Sequence, residues 1–291
     1  SAAGFGSNIV AFLSNGNSSY SAGSAQVTHR LANGLQGSAA YTWSHLIDDT
    51  TAEVFSTVLS PRRVQDFQNL RAERADSALD HRQRFILSLI YDVPFFRNSR
   101  NFVRTIAGGW SLAGTYSAEA GEKAAVRSGI DSNLNGDNAG DRTILNPSGV
   151  SGTGSTVVGV GSDGKPASSQ NAVVAYVATN PNAQYIQAGK GAFATAGRNN
   201  LPLPGVNNLD FSIFKNFRVR EGMKFQFRVD MYNAFNHAQF VPGSVNGVEA
   251  TAQTTAAATN LVTVGTADFN RPDLVFTSHP RVIQLALRFD F

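Results

Sequence analysis

Apolar and polar side chains alternate with a period of two in one stretch of this chain after another. At its C-terminal end, Ile283, Leu285, Leu287, Phe289 and Phe291 interleave with Val282, Gln284, Ala286, Arg288 and Asp290. Successive side chains of a strand point to opposite faces, so this spacing predicts a strand with one apolar and one mostly polar face. Phe225, Phe227, Val229, Met231 and Phe235 repeat the pattern against Lys224, Gln226, Arg228, Asp230 and Tyr232. Leu209, Phe211, Ile213, Phe217 and Val219 do so against Asp210, Ser212, Asn216, Arg218 and Arg220, with Phe214 and Lys215 out of phase. Earlier strands are predicted around Leu35–Ser44, Phe85–Val93 and Trp110–Glu119, and a weaker one over 20–30. None of these segments has helical spacing. Residues 5–13 offer an eighth strand beside these seven.

The connections alternate in length. Leu31–Gly34 and Arg220–Gly222 read as short turns and Pro94–Arg104 as a modest link, whereas about 47–79, 121–207 and 241–280 are long, polar and rich in small residues. Loops this long are rare in compact soluble domains. Short turns at one end and long loops at the other are the plan of an outer-membrane barrel. The long stretches, including Ser151–Ser155 and Ala250–Thr259, read as exposed loop. A soluble β-sandwich also alternates, with one face buried, but its apolar faces favour Val and Ile. Here Tyr41, Trp43, Tyr91, Trp110, Phe235, Phe289 and Phe291 gather near strand ends, where a membrane barrel places its aromatic girdles.

Composition narrows the choice. Charged residues make up 15% of the 291 positions, against about 25% in soluble domains. No apolar run approaches the ~18 residues of a spanning helix, and no signal peptide is visible at the start. A net charge of +3 is no footprint for nucleic acid. The absence of cysteine removes disulfides, thiolate metal sites and cysteine nucleophiles together.

Short runs scattered through the chain add a resemblance. Gly34-Leu35 followed by Ala40–Ser44, then Asn69–Arg74, Asp80–Phe85, Gly108–Trp110, Gly197–Pro202, Asn208–Ser212, Phe235–His237 and Arg281–Phe291 occur in that order. Together they resemble the C-terminal barrel of TonB-dependent outer-membrane receptors. The most similar subgroup is the Oar-like receptors with a carboxypeptidase-regulatory-like N-terminal domain. The resemblance implies an all-β, antiparallel transmembrane barrel portion, residues 1–291, in a Gram-negative outer membrane, with long loops extracellular and the C-terminus periplasmic. Such receptors close with 22 strands around a plug, which seven or eight strands cannot supply. The chain is therefore expected to be a fragment, split gene product or processed piece. Its expected partners are membrane lipid, the remaining barrel and plug segments (from the same or another chain) and TonB, reached only through the absent plug.

Candidate chemistry is sparse. Ile283, Leu285, Leu287, Phe289 and terminal Phe291 resemble the signal read by the barrel-assembly machinery, recognised by edge-strand addition; an ordinary amphipathic strand would look the same. Asp131, Asn133, Asn135 and Gly136, with Asp137 and Asp141 beyond, match the opening of a calcium loop. Its twelfth position is Arg142 instead of Glu and no helices flank it, so a plain polar turn is the competing reading. The cluster Arg71, Glu73, Arg74, Asp76, Asp80, His81, Arg82 and Arg84 reads as an ion-pair network on loop and lumen. His29, His45, His237 and His279 lack zinc spacing, and the Gly152–Gly164 tract lacks a phosphate-loop ending and reads as a flexible loop. No enzyme is expected. Ligand uptake is the expected function, with a surface protein anchored by the barrel, or a small passive pore, as alternatives.

Overall fold

An isolated strand leaves every backbone N–H and C=O unpaired, so the alternating segments must find neighbours, and short turns decide which ones. Asn33 and Gly34 both adopt positive φ (50° and 83°), the geometry of a two-residue hairpin turn. A Cβ on Gly34 would also lie 2.4 Å from the Asp92 carbonyl oxygen. In the computed structural model, which describes residues 14–50, 63–96, 101–220, 223–240, 259–276, 278 and 280–291, seven long strands result. They are β1 (Ser18–Ala32), β2 (Leu35–Asp48), β3 (Gln83–Asp92), β4 (Trp110–Glu119), β5 (Val206–Arg220), β6 (Met223–Tyr232) and β7 (Val282–Asp290).

These strands pair strictly in chain order, each antiparallel to the next. The meander expected from the short turns is present. It places the connections 49–82, 120–205 and 233–281 at one end, and 33–34, 93–109, 221–222 and the C-terminus at the other. Among the described residues β1 and β7 do not pair with each other, so the sheet is open. Residues 5–13, the eighth-strand candidate, lie outside the described residues.

Register fixes the faces, because directly opposed residues share one. Leu35, Tyr91, Leu112, Ile213, Val229 and Leu285 form one cross-strand row. Phe227 opposes Leu287, and Phe225 opposes both Phe217 and Phe289 on the same face. The other face carries the row Gln36, Ile90, Ala113, Ser212, Asp230 and Gln284, in which Ile90 and the small Ala113 are the apolar exceptions. Among the described residues no second sheet covers the apolar face: Leu285 and Leu287 are 69% and 68% exposed. A soluble sandwich would bury them; here they are available to lipid. Among the described residues no helix is long and apolar enough to cross a membrane. The strands, 9 to 15 residues long, suit a tilted crossing of the ~30 Å hydrocarbon layer.

The buried apolar core lies elsewhere. Val126, Tyr185, Leu203, Leu261, Val262 and Phe276 are at its centre, and all belong to the long connections. The expectation that these connections are exposed loop is corrected here. Val150–Ser155 is a strand, paired in parallel with Ala183–Ile186, which also pairs with Ile144–Leu145. The tract read as a flexible glycine loop likewise holds Val157–Val160, paired with Ala175–Ala178. Small residues mark close packing here: a Cβ on Gly149 would lie 2.4 Å from the Ala183 carbonyl oxygen. Residues 250–258 lie outside the described residues.

Candidate functional site

Three long connections meeting at one end of the sheet make that end the place to look for function. The first two are fastened to each other and to the sheet by charge, and the third by neutral hydrogen bonds and apolar packing. Arg198, from 120–205, forms an ion pair with Asp48 at the end of β2, and its Nε donates to the Glu73 carbonyl at 2.9 Å. Arg142 donates from Nη1 to Glu73 Oε2 at 2.7 Å, with both side chains nearly inaccessible. Buried charges are tolerated when fully paired. Asn199 Nδ2 donates to the Asp76 carbonyl at 2.9 Å, and the Asn207 amide to Gln239 Oε1 at 2.9 Å.

Much of the expected ion-pair network is in place, and part of it reaches further than sequence proximity suggested. Among the described residues, however, Arg71 and Arg74 form no ion pair, and Arg74 donates to the Ser19 hydroxyl instead. Asp76 is paired with His45 (2.7 Å), Arg82 (3.1 Å) and Lys123. Burial alone would raise its carboxyl, but hydrogen bonds from Lys123 and His45, with the charges of Lys123 and Arg82, outweigh it and hold it below the usual carboxylate value. Asp80 accepts from the Leu46 amide (2.6 Å) and Arg82 Nε (3.2 Å), while His81 faces Glu119 at 3.2 Å. Asp80 and His81 thus have different partners. Among the described residues His45, Asp76 and Asp80 alone bring three ligand-type atoms within 4.8 Å of one another. Arg82 and Lys123 already supply the positive charge a metal would bring there.

The Asp131–Asp141 segment is a chain of side-chain-capped turns. Asp131 Oδ1 accepts from the Asn135 amide (3.0 Å) and Oδ2 from the Gly136 amide (2.8 Å). Asn133 Oδ1 accepts from the Asn135 amide (3.1 Å), and Asn135 Oδ1 from the Asp137 amide (2.8 Å). Asp137 is paired with Arg63 across from the first long connection. Asp141 is 1% exposed; its Oδ2 accepts from the Ser132 amide at 3.1 Å, and its Oδ1 is buried without a hydrogen-bond partner. Burial, reinforced by the charges of Asp131 and Asp137 and only partly opposed by the Ser132 and Asn133 amides, pushes the Asp141 carboxyl up to about 6. Asp131, Asp137 and Asp141 do not bring three carboxylate oxygens within 4.8 Å of one another.

Above the same assembly, Leu134, Gln170, Val173, Val174, Tyr176 and Lys190 line an open groove of about 360 Å³. Tyr176 is oriented there by Gln170 Nε2, which donates to its hydroxyl at 2.7 Å. The sequence did not reveal this groove, because apart from Leu134 its residues come from stretches with no motif. Ile283, Leu285, Leu287 and Phe289 lie exposed along β7, and at its far end the Phe289 and Phe291 rings stack at 5.9 Å between centroids.

With this geometry in view, comparison with known families gives one result. The model of the outer membrane beta barrel domain matches residues 3–284. No curated protein and no solved structure matches the chain.

Proposed function

The chain belongs to the outer membrane beta barrel domain family, and from that premise we propose that it forms the C-terminal part of a TonB-dependent receptor barrel. In this reading the long connections face the cell exterior and take part in ligand capture. The plug and the other strands come from the rest of the receptor, and TonB acts through that plug. The C-terminus lies in the periplasm, where β7 and Phe291 present the assembly machinery with an edge strand. The chain carries no reaction of its own. The observation that supports the reading best is the folding of two long connections, 120–205 and 233–281, around one core at one end of the sheet, with the first, 49–82, tied to them through Glu73. An ordered loop assembly with a groove suits recognition; simple anchoring needs only the strands.

A native polypeptide with a plug segment ahead of β1 is the expected result of N-terminal sequencing from outer membranes. A mature N-terminus directly before the first strands would overturn the receptor reading. Orientation has its own test. The chain has no cysteine, so Ser148→Cys should react with an impermeant maleimide on intact cells, and Asn33→Cys should react only after lysis.

One observation favours a second reading, a barrel-anchored surface protein. Phe193, Val174 and Leu134 are 91%, 66% and 63% exposed on the loop assembly, and exposed apolar groups often mark protein contacts. Loss of cell–cell adhesion with unchanged uptake in a deletion strain would select it.

A further inference from the structure

The charge balance of the Asp131–Asp141 segment is incomplete. Asp131, Asp137 and Asp141 bring three negative charges, and Arg63 offsets one of them through Asp137. Among the described residues no Lys, Arg or His forms an ion pair with Asp131 or Asp141. The adjacent Arg142 is committed to Glu73. Two negative charges are left, one of them on a side chain that is 1% exposed.

A buried carboxylate oxygen with no donor is costly, and native structures rarely leave one without a counter-group. Asp141 Oδ1 is such an atom. The carboxylate is directed at the turn segment, since its other oxygen is held by the Ser132 amide and its charge couples to Asp131 and Asp137. The same segment presents the side-chain oxygens of Asp131, Asn133 and Asn135, each accepting main-chain N–H groups within the turns. A carboxylate or amide oxygen has a second lone pair, so these caps do not use up its capacity. The donor set is oxygen only, which suits a hard dication and not zinc. Its mix of carboxylates and neutral amides suits calcium, which takes six to eight oxygens in adaptable geometry.

We propose that this segment binds one calcium ion through Asp131, Asn133, Asn135 and Asp141, with main-chain carbonyls or water completing the shell. Asp137 serves as the Arg63 partner, which explains why three carboxylates do not converge. The ion neutralises the two unbalanced charges. It also fastens the loop assembly, because the segment is tied to both connections: Asn133 Nδ2 donates to the Gln65 carbonyl at 2.7 Å, and Ser132 Oγ to the Ala188 carbonyl at 2.7 Å. The inference is independent of which ligand the receptor takes.

The test is calorimetric titration of calcium chloride into the full chain, refolded in detergent and stripped with a chelator. One ion per chain is expected, together with slower proteolysis across the 120–205 connection. Asp141→Asn keeps the Ser132 bond but removes the buried charge, and should weaken binding roughly tenfold or more. Asp163→Asn, in a turn outside the segment, should leave it unchanged. No binding by the unsubstituted chain at about 1 mM calcium, or equal affinity in Asp141→Asn, overturns the proposal. Should Asp141→Asn fail to fold, Asp131→Asn is titrated in its place and read by the same criterion.

Discussion

Glu73 and Arg142, 69 positions apart, meet at 2.7 Å with both side chains nearly closed off from solvent. Glu73 belongs to the first long connection and Arg142 to the second, so their pairing determines how the two sit together. Glu73→Gln removes the compensating charge and leaves the Arg142 guanidinium buried, a situation that costs about 3–5 kcal/mol. The loop assembly should loosen while the sheet persists. Limited proteolysis checks this: faster cleavage within 120–205 is expected, with the β5–β7 fragment still protected. Removing both charges in Glu73→Met/Arg142→Met should recover part of the loss.

Lys215 is the polar exception on the apolar face of β5, and the structure gives it a task at the short-turn end. Its Nζ donates to the Gly108 carbonyl at 2.7 Å and to Ile106, and lies 5.1 Å and 4.9 Å from the ring centres of Trp110 and Phe217. The residue is 1% exposed, and two carbonyls and two ring faces take the place of water around the charge. Lys215→Met keeps the stem but strands two carbonyls. It should lower stability by about 1–3 kcal/mol, read as a reduced urea midpoint in micelles, and expose the 93–109 connection to protease first.

Asp76 gives the loop assembly a pH dependence of definite sign. Its partners hold its folded-state value below the ordinary 3.8, so its contribution is fully present above the unfolded-state value. That contribution is lost as pH falls through the folded-state value. Loop protection against an acid-active protease should therefore be flat around neutrality and decline below roughly pH 4. Asp76→Asn should be weaker at pH 7 and show a shallower acid decline. An equally steep decline in the variant would remove Asp76 from the account.

The sheet was legible because its code is local. The spacing of Phe225, Phe227 and Val229, or of Leu285, Leu287 and Phe289, fixes a face without knowledge of any neighbour, and Asn33-Gly34 fixes a hairpin. The loop assembly was not legible, for an equally physical reason. Its order depends on partners far apart in sequence, such as Arg198 with Asp48 and Glu73, and on small residues such as Gly149 that allow close approach. Small and polar composition looks the same in a mobile loop and in a tightly packed one. The Asp131–Asn135 spacing was visible. The burial of Asp141 was not, because it depends on the fold around it.

Neighbouring residues on β7 test the membrane architecture directly. Leu287 lies opposite Phe227 on the apolar face and is 68% exposed, whereas Arg288 lies opposite Gln226 on the other. If the apolar face meets lipid, Leu287→Arg places a charge in hydrocarbon and should cost about 2–4 kcal/mol toward the bilayer midplane. Arg288→Leu, one position away, removes a charge from the polar face and should change stability far less. A soluble sheet with water on both faces predicts little cost for either substitution, since Leu287 would simply exchange one solvated side chain for another. A sandwich with Leu287 in its core predicts loss of folding in water as well as in lipid. Unfolding each variant from bilayer vesicles and from detergent micelles separates these cases. The penalty should track depth in the hydrocarbon layer: large and similar in Leu287→Arg and Leu285→Arg, which flank the middle of β7, and smaller in Ile283→Arg, nearer the long-loop interface.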